Sequence, residues 1–185
     1  MAQMEVAGQP RVSALRRFLV WTLIGGAAGV VATLLVVGWM SRDPTPPLTP
    51  QIFENAHERW KSAAPQDYDI EVKVSGPQAA TYRTEVRRGQ PQAAWRNGEP
   101  LVGMRTFGTW SVPGMFSTIS RDLESIQRRA EGRAMPGAPE LILKAQFDSR
   151  YSFPQSYRRI EWGSRRGSDA VTVKWDVVEF KVVAP

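Results

Sequence analysis

YDIEVKVSGP, Tyr68 to Pro77, alternates without a break: Tyr68, Ile70, Val72 and Val74 are apolar, and the residues between them, Asp69, Glu71 and Lys73, are charged. Successive side chains of a strand point to opposite faces, so a period of two marks a strand with one buried and one wet side. Ser75-Gly76-Pro77 then turns the chain, and Thr81 to Arg88 repeats the pattern with Tyr82, Thr84 and Val86 inward. Gly89-Gln90-Pro91 turns it again, and Asn97-Gly98 follows a short strand around Trp95 as a two-residue hairpin signal. Strands joined by such short turns run antiparallel. Residues 101–110 carry no clear period.

Helical spacing brackets these strands. Thr49-Pro50 supplies an N-cap and a first-turn proline, and Ile52, Phe53, Ala56, Trp60 and Ala63 recur on one face before Pro65. Ser111 caps a second helix, with Met115, Phe116, Ile119, Leu123 and Ile126 as its apolar stripe. Arg121, Asp122, Glu124, Arg128 and Arg129 are assigned elsewhere on that wheel, and Gly132 stops the helix. Leu141, Leu143, Ala145 and Phe147 alternate as a strand, and Tyr157 to Trp162 forms another. In the last strand Val171, Val173, Trp175 and Val177 face inward, then the pattern slips to Val178, Phe180 and Val182. A slip of one residue would turn half the strand inside out, so a β-bulge is expected near Val177 and Val178. The expected order is helix-βββ-helix-βββ, an α+β domain with its helices on one face of an antiparallel sheet.

Before this domain lies FLVWTLIGGAAGVVATLLVVGWM, Phe18 to Met40, which holds no charge. At helical rise it spans roughly 34 Å, enough to cross a hydrocarbon core of about 30 Å. Arg11, Arg16 and Arg17 precede it and Arg42 follows, so the N-terminus is expected in the cytoplasm and the C-terminal domain outside the cell (inner) membrane. The run is longer than a cleavable signal's apolar core, which favours a single-pass signal anchor. The expected organisation is a cytoplasmic tail 1–17, a transmembrane anchor 18–40, a proline-rich linker 41–50 and an extracytoplasmic domain 51–185. Gly25 and Gly29 form a GxxxG spacing on which two such helices could pack as a homodimer.

The charge balance excludes little. The net charge is +6, and from Pro44 onward there are 20 basic and 16 acidic residues. Cations cluster only as pairs, such as Arg87-Arg88 and Arg158-Arg159, so no nucleic-acid partner is expected. With no cysteine, disulfides, thiol catalysis and thiolate-bound metals are excluded.

FDSRYSFPQSYRRIEW, Phe147 to Trp162, concentrates the candidate binding residues Asp148, Tyr151, Phe153, Pro154 and Tyr157. Asp148 can bond the backbone two residues on, and Pro154 suits a strand start or edge. The stretch therefore reads as a hairpin connection whose aromatics fold over the end of the core, with an aromatic ligand platform as the other reading. It also carries a resemblance. FDSRYSFP, the strand YDIEVKVSG, the strand YRTEVRRGQ, the helix VPGMFSTISRDLE and the final WDVVEF resemble a bacterial family of small membrane-anchored or lipoprotein extracytoplasmic domains of unknown function. The likeness covers roughly Tyr68 to Phe180, with Ser152 where that family usually has glycine. It implies the fold and the location, and no chemistry.

Other chemistry finds little to stand on. His57 is the only histidine and lies among Glu54, Glu58 and Lys61, with no Gly-x-Ser-x-Gly elbow to supply a nucleophile. Asp67, Asp69 and Glu71 could offer oxygens to Ca²⁺, but Lys73, Arg83 and Arg87 can neutralise them across strands, which favours a solvated charged face. No catalytic residue, metal ligand or cofactor is assigned. The expected function is a non-catalytic binding module of the cell envelope, with an envelope protein or polymer as partner. The alternative is a small hydrolase with a carboxylate-based site, which predicts a deep pocket holding two acids of displaced pKa.

Overall fold

The computed structural model describes residues 45–102, 107–163 and 170–183. All of them belong to the unit Thr45–Pro185. The tail 1–17, the anchor 18–40 with Gly25 and Gly29, and residues 41–44 lie outside the described residues. Among the described residues no helix is long and apolar enough to cross a membrane.

Helix α1 spans Pro50–Ala63 and starts as its sequence predicts: Thr49 is the N-cap, and its hydroxyl accepts from the Ile52 amide at 3.3 Å. Four antiparallel strands follow, β1 (Tyr68–Ser75), β2 (Ala80–Arg87), β3 (Gln90–Arg96) and β4 (Glu99–Pro100). A short 3-10 turn, Gly108–Trp110, leads into helix α2, Val112–Ala130, whose Ser111 cap accepts from Gly114. Gly114 has a steric duty there, because a Cβ on it would lie 1.9 Å from the Gly108 carbonyl oxygen. The helix ends as expected at Gly132, where φ of +69° lets Arg133 donate back to the Arg128 carbonyl at 2.7 Å. Strands β5 (Glu140–Phe147), β6 (Pro154–Trp162) and β7 (Val171–Val182) complete the chain.

The seven strands form one open antiparallel sheet in the order β4-β3-β2-β1-β7-β6-β5. Each half is a meander of neighbouring strands, and pairing of the first strand with the last welds the halves together. The expected bulge is present: Glu71 faces Glu179 and Val72 faces Val177, leaving Val178 as the extra residue. Val177 and Phe180 thus both stay against the core.

The expected three-plus-three count of strands is corrected to four plus three. Asn97 and Gly98 both have positive φ, 53° and 85°, and fold the chain back so that Glu99 and Pro100 pair with Arg96 and Trp95. Two residues are too few to show an alternation, and Pro100 disguises them as a break. The sixth strand also begins earlier than expected, at Pro154.

Both helices pack on one face of the sheet. Phe53, Ala56 and Trp60 of α1 and Val112, Met115, Phe116 and Ile119 of α2 share one core with Tyr68, Ile70, Val72, Val74, Leu143, Ala145, Tyr157 and Trp175. Phe116 sits at the junction, its ring 5.8 Å from Phe53, 4.7 Å from His57 and 6.0 Å from Phe147. Residues 45–48 run along β5: Pro47 bridges Lys144, Leu48 donates to the Leu143 carbonyl at 2.9 Å, and Ala145 donates to that of Pro46 at 3.1 Å.

Candidate functional site

The Asp148 connection is built from its own side chains. The Asp148 carboxylate accepts from the amides of Arg150 at 3.0 Å and Tyr151 at 2.6 Å. The Asp148 amide donates to the Phe153 carbonyl, and Ser152 donates to that of Asp148. Ser152 has φ of +60°, the conformation for which glycine is the usual choice, and is buried. Phe153 stacks on Phe180 with centroids 4.4 Å apart, Tyr151 leans on the same ring at 5.7 Å, and Arg150 lies over Tyr151. Asp148, Tyr151, Phe153 and Pro154 are thus brought together, with their aromatic surface directed at the core.

Tyr157 stands apart from that group. It lies within β6 on the helix-covered face, stacks against Trp175 at 4.5 Å, and donates its hydroxyl to Asp122 of α2 at 2.6 Å. Asp122 also accepts from Arg159 at 3.3 Å, and Arg159 pairs in turn with Glu161. Burial pushes the Asp122 carboxyl above its ordinary range, against the pull of the Tyr157 hydroxyl and Arg159. Burial and then the Asp122 charge push the Tyr157 phenol well above its ordinary value. Placing Asp122 on the polar side of the wheel is therefore corrected: it is 8% exposed. Its position three residues after Ile119 and four before Ile126 puts it on the apolar stripe itself, and an acid there was the available signal. Both carboxylate oxygens are occupied, so this cluster ties α2 to β6.

His57 is a packing residue, with its ring stacked on Phe116; burial, then the Lys61 charge, lowers its pKa. Tyr68 is likewise pushed up, to about 12, by burial, and its oxygen accepts from the Val112 amide.

The sheet face away from the helices is open, and two adjoining depressions lie on it. Asp69, Ile70, Glu71, Arg83, Glu179 and Lys181 line one. Glu71, Thr81, Arg83, Trp95 and Gly98 line the other. Register creates this cluster, since Glu71 faces Arg83 on β2 and Glu179 on β7, and Arg83 faces Trp95 on β3. The Arg83 guanidinium lies 5.5 Å from the Trp95 ring centre and 3.1 Å from Glu85. Asp69 is held by Arg87 at 2.7 Å, the cross-strand neutralisation its spacing predicts. Asp67, expected beside Asp69 and Glu71, instead caps a turn by accepting from the Arg88 amide at 2.7 Å. Among the described residues Glu71 and Glu179 make no ion pair, and no group of three His, Cys, Asp or Glu is arranged to hold a metal ion.

A half-buried aromatic, a paired guanidinium and a carboxylate around an open depression suit reversible binding: the ring offers a flat apolar surface, and the charged groups fix orientation. Comparison with protein-family models, with curated proteins and with solved structures finds no match.

Proposed function

We propose that the chain is a single-pass membrane-anchored module whose C-terminal domain faces outside the cell membrane and binds an envelope protein or polymer without catalysis. The observation that carries this reading is the open sheet face with Glu71, Thr81, Arg83 and Trp95 around one depression. The charge-free run 18–40 and the arginines before it support the anchor and its orientation, and Gly25 and Gly29 support a homodimer through that helix. The resemblance between Tyr68 and Phe180 supports the same location. The carboxylate that burial pushes upward, Asp122, is engaged by Tyr157 and Arg159 and lines neither depression. That weighs for binding over a hydrolase site made of two acids.

The test replaces Trp95 with a photo-crosslinking residue in the full chain, in cells. A discrete adduct is expected, with none from the same residue at Ser117 on the exposed side of α2. Adducts at 117 and none at 95 would place the binding surface elsewhere. Protease added to cells stripped of their outer layers should digest the domain; protection until lysis would reverse the orientation.

A further inference from the structure

The Trp95 depression belongs to a longer row. Pro100 of β4 faces Trp95 of β3, Trp95 faces Arg83 of β2, Arg83 faces Glu71 of β1, and Glu71 faces Glu179 of β7. These residues stand in line across the open face, over four strand spacings or about 19 Å. The two depressions lie along this line and share Glu71 and Arg83. The larger holds about 300 Å³, the low end for a small-molecule site, so a long ligand would seat one part there and continue along the row.

The lining selects by charge. The carboxylates of Asp69, Glu71 and Glu179 stand among the cations of Arg83 and Lys181, so a polyanion meets acids and a polycation meets bases. Among the described residues Glu71 and Glu179 make no ion pair, although they face each other. Their oxygens are open acceptors, and Arg83, whose Nη2 meets Glu85 at 3.1 Å, has more N–H groups than that contact uses. A hydroxyl both donates and accepts, so an uncharged chain rich in hydroxyls matches such a lining. The half-buried Trp95 adds an aromatic surface whose negative face attracts the polarised C–H bonds of a sugar ring. An extended peptide finds no strand to join here, because β1 and β2 are paired on both sides.

We propose that this row binds an uncharged, flat and extended glycan of the cellulose or chitin kind. Such a chain is straight and lies along a straight row, whereas a glycan of the starch kind curls away from it. One sugar ring rests on Trp95 with its hydroxyls toward Thr81 and Arg83, and Glu71, two strand spacings or about 10 Å from Trp95, meets the next ring. The inference rests on the binding-module reading above and gives its partner a chemistry.

The test uses the full chain in lipid nanodiscs with its seven tryptophans replaced by fluorotryptophan, titrated with cellotetraose, tetra-N-acetylchitotetraose or maltotetraose. The fluorine signal of Trp95 is assigned from Trp95→Phe. Cellotetraose or the acetylated chitotetraose should shift that signal saturably and leave those of the buried Trp60 and Trp175 in place. Glu71→Gln should weaken the binding about tenfold, and a melting curve checks that this variant folds. A shift that Glu71→Gln leaves unchanged overturns the row as the site. An equal shift with maltotetraose overturns the flat chain. A Trp95 signal that stays still with both flat tetrasaccharides overturns the glycan; the binding reading then stands if the crosslinker at position 95 still captures a protein in cells, and falls with the glycan if it captures nothing.

Discussion

On the helix-covered side of β1, Tyr68, Ile70, Val72 and Val74 are buried, while on its other side Asp69, Glu71 and Lys73 meet neighbours of mixed charge. The two faces share every backbone hydrogen bond. What separates them is the environment: one is closed by α1 and α2, so each side chain there must fit, and the other meets water, where charges can exchange partners at little cost. Stability should therefore reside on the first face and recognition on the second. The Asp122–Tyr157–Arg159 cluster departs from this on the covered face, where a buried acid is retained with both of its oxygens engaged.

The severest way to break the contrast is to exchange the faces. Exchanging Ile70 with Glu71 and Val72 with Lys73 in β1 places two charges on the covered face and two aliphatic side chains on the wet one. Loss of the cooperative folded state is expected, read by circular dichroism and denaturant unfolding. Next, Phe116→Ala empties the junction between α1, α2 and β5 and should cost about 3–5 kcal/mol in urea unfolding. Asp122→Ala strands a buried phenol and a half-buried guanidinium and should cost about 2 kcal/mol, with Asp122→Asn milder. The Asp122 pKa is higher folded than unfolded, so its contribution is greatest below the unfolded value and is lost as pH rises through the native one. The Asn variant should lose that part of the pH dependence, and an unchanged slope would remove Asp122 from the account. Smallest of all, Arg83→Ala on the open face should move stability by less than about 0.5 kcal/mol. A loss comparable to that of Phe116→Ala would end the division of labour between the faces.

Those features carried by neighbours in sequence were legible. Alternation marks β1 and β5, Thr49 and Ser111 announce the helix starts, and the slip at Val177 and Val178 foretells the bulge. Features made by distant neighbours were not. Pairing of β1 with β7 leaves no local trace, and it is that pairing which sets Glu71 beside Glu179 and completes one depression. Trp95 reaches the same cluster only through the register of β3 on β2. Asp122 was hidden for another reason: a carboxylate on an apolar stripe makes sense only once Tyr157 and Arg159 arrive from 35 and 37 residues away. Ser152 shows the opposite case, since its φ of +60° meets the demand that glycine would satisfy more easily.

An open sheet has two free margins, and each is a template on which another chain could add a strand and begin to aggregate. Here both margins end in proline. Beyond β5 lie residues 45–48, in which Pro46 and Pro47 have no N–H to offer; at the far side β4 is two residues long and closes on Pro100. The stretch that reads as a mere spacer thus also stops the sheet from growing. A chain cut back to Thr49 would bare the middle of β5, from Leu143 to Ala145, and its first failure would be insoluble polymer, well before any loss of the fold itself.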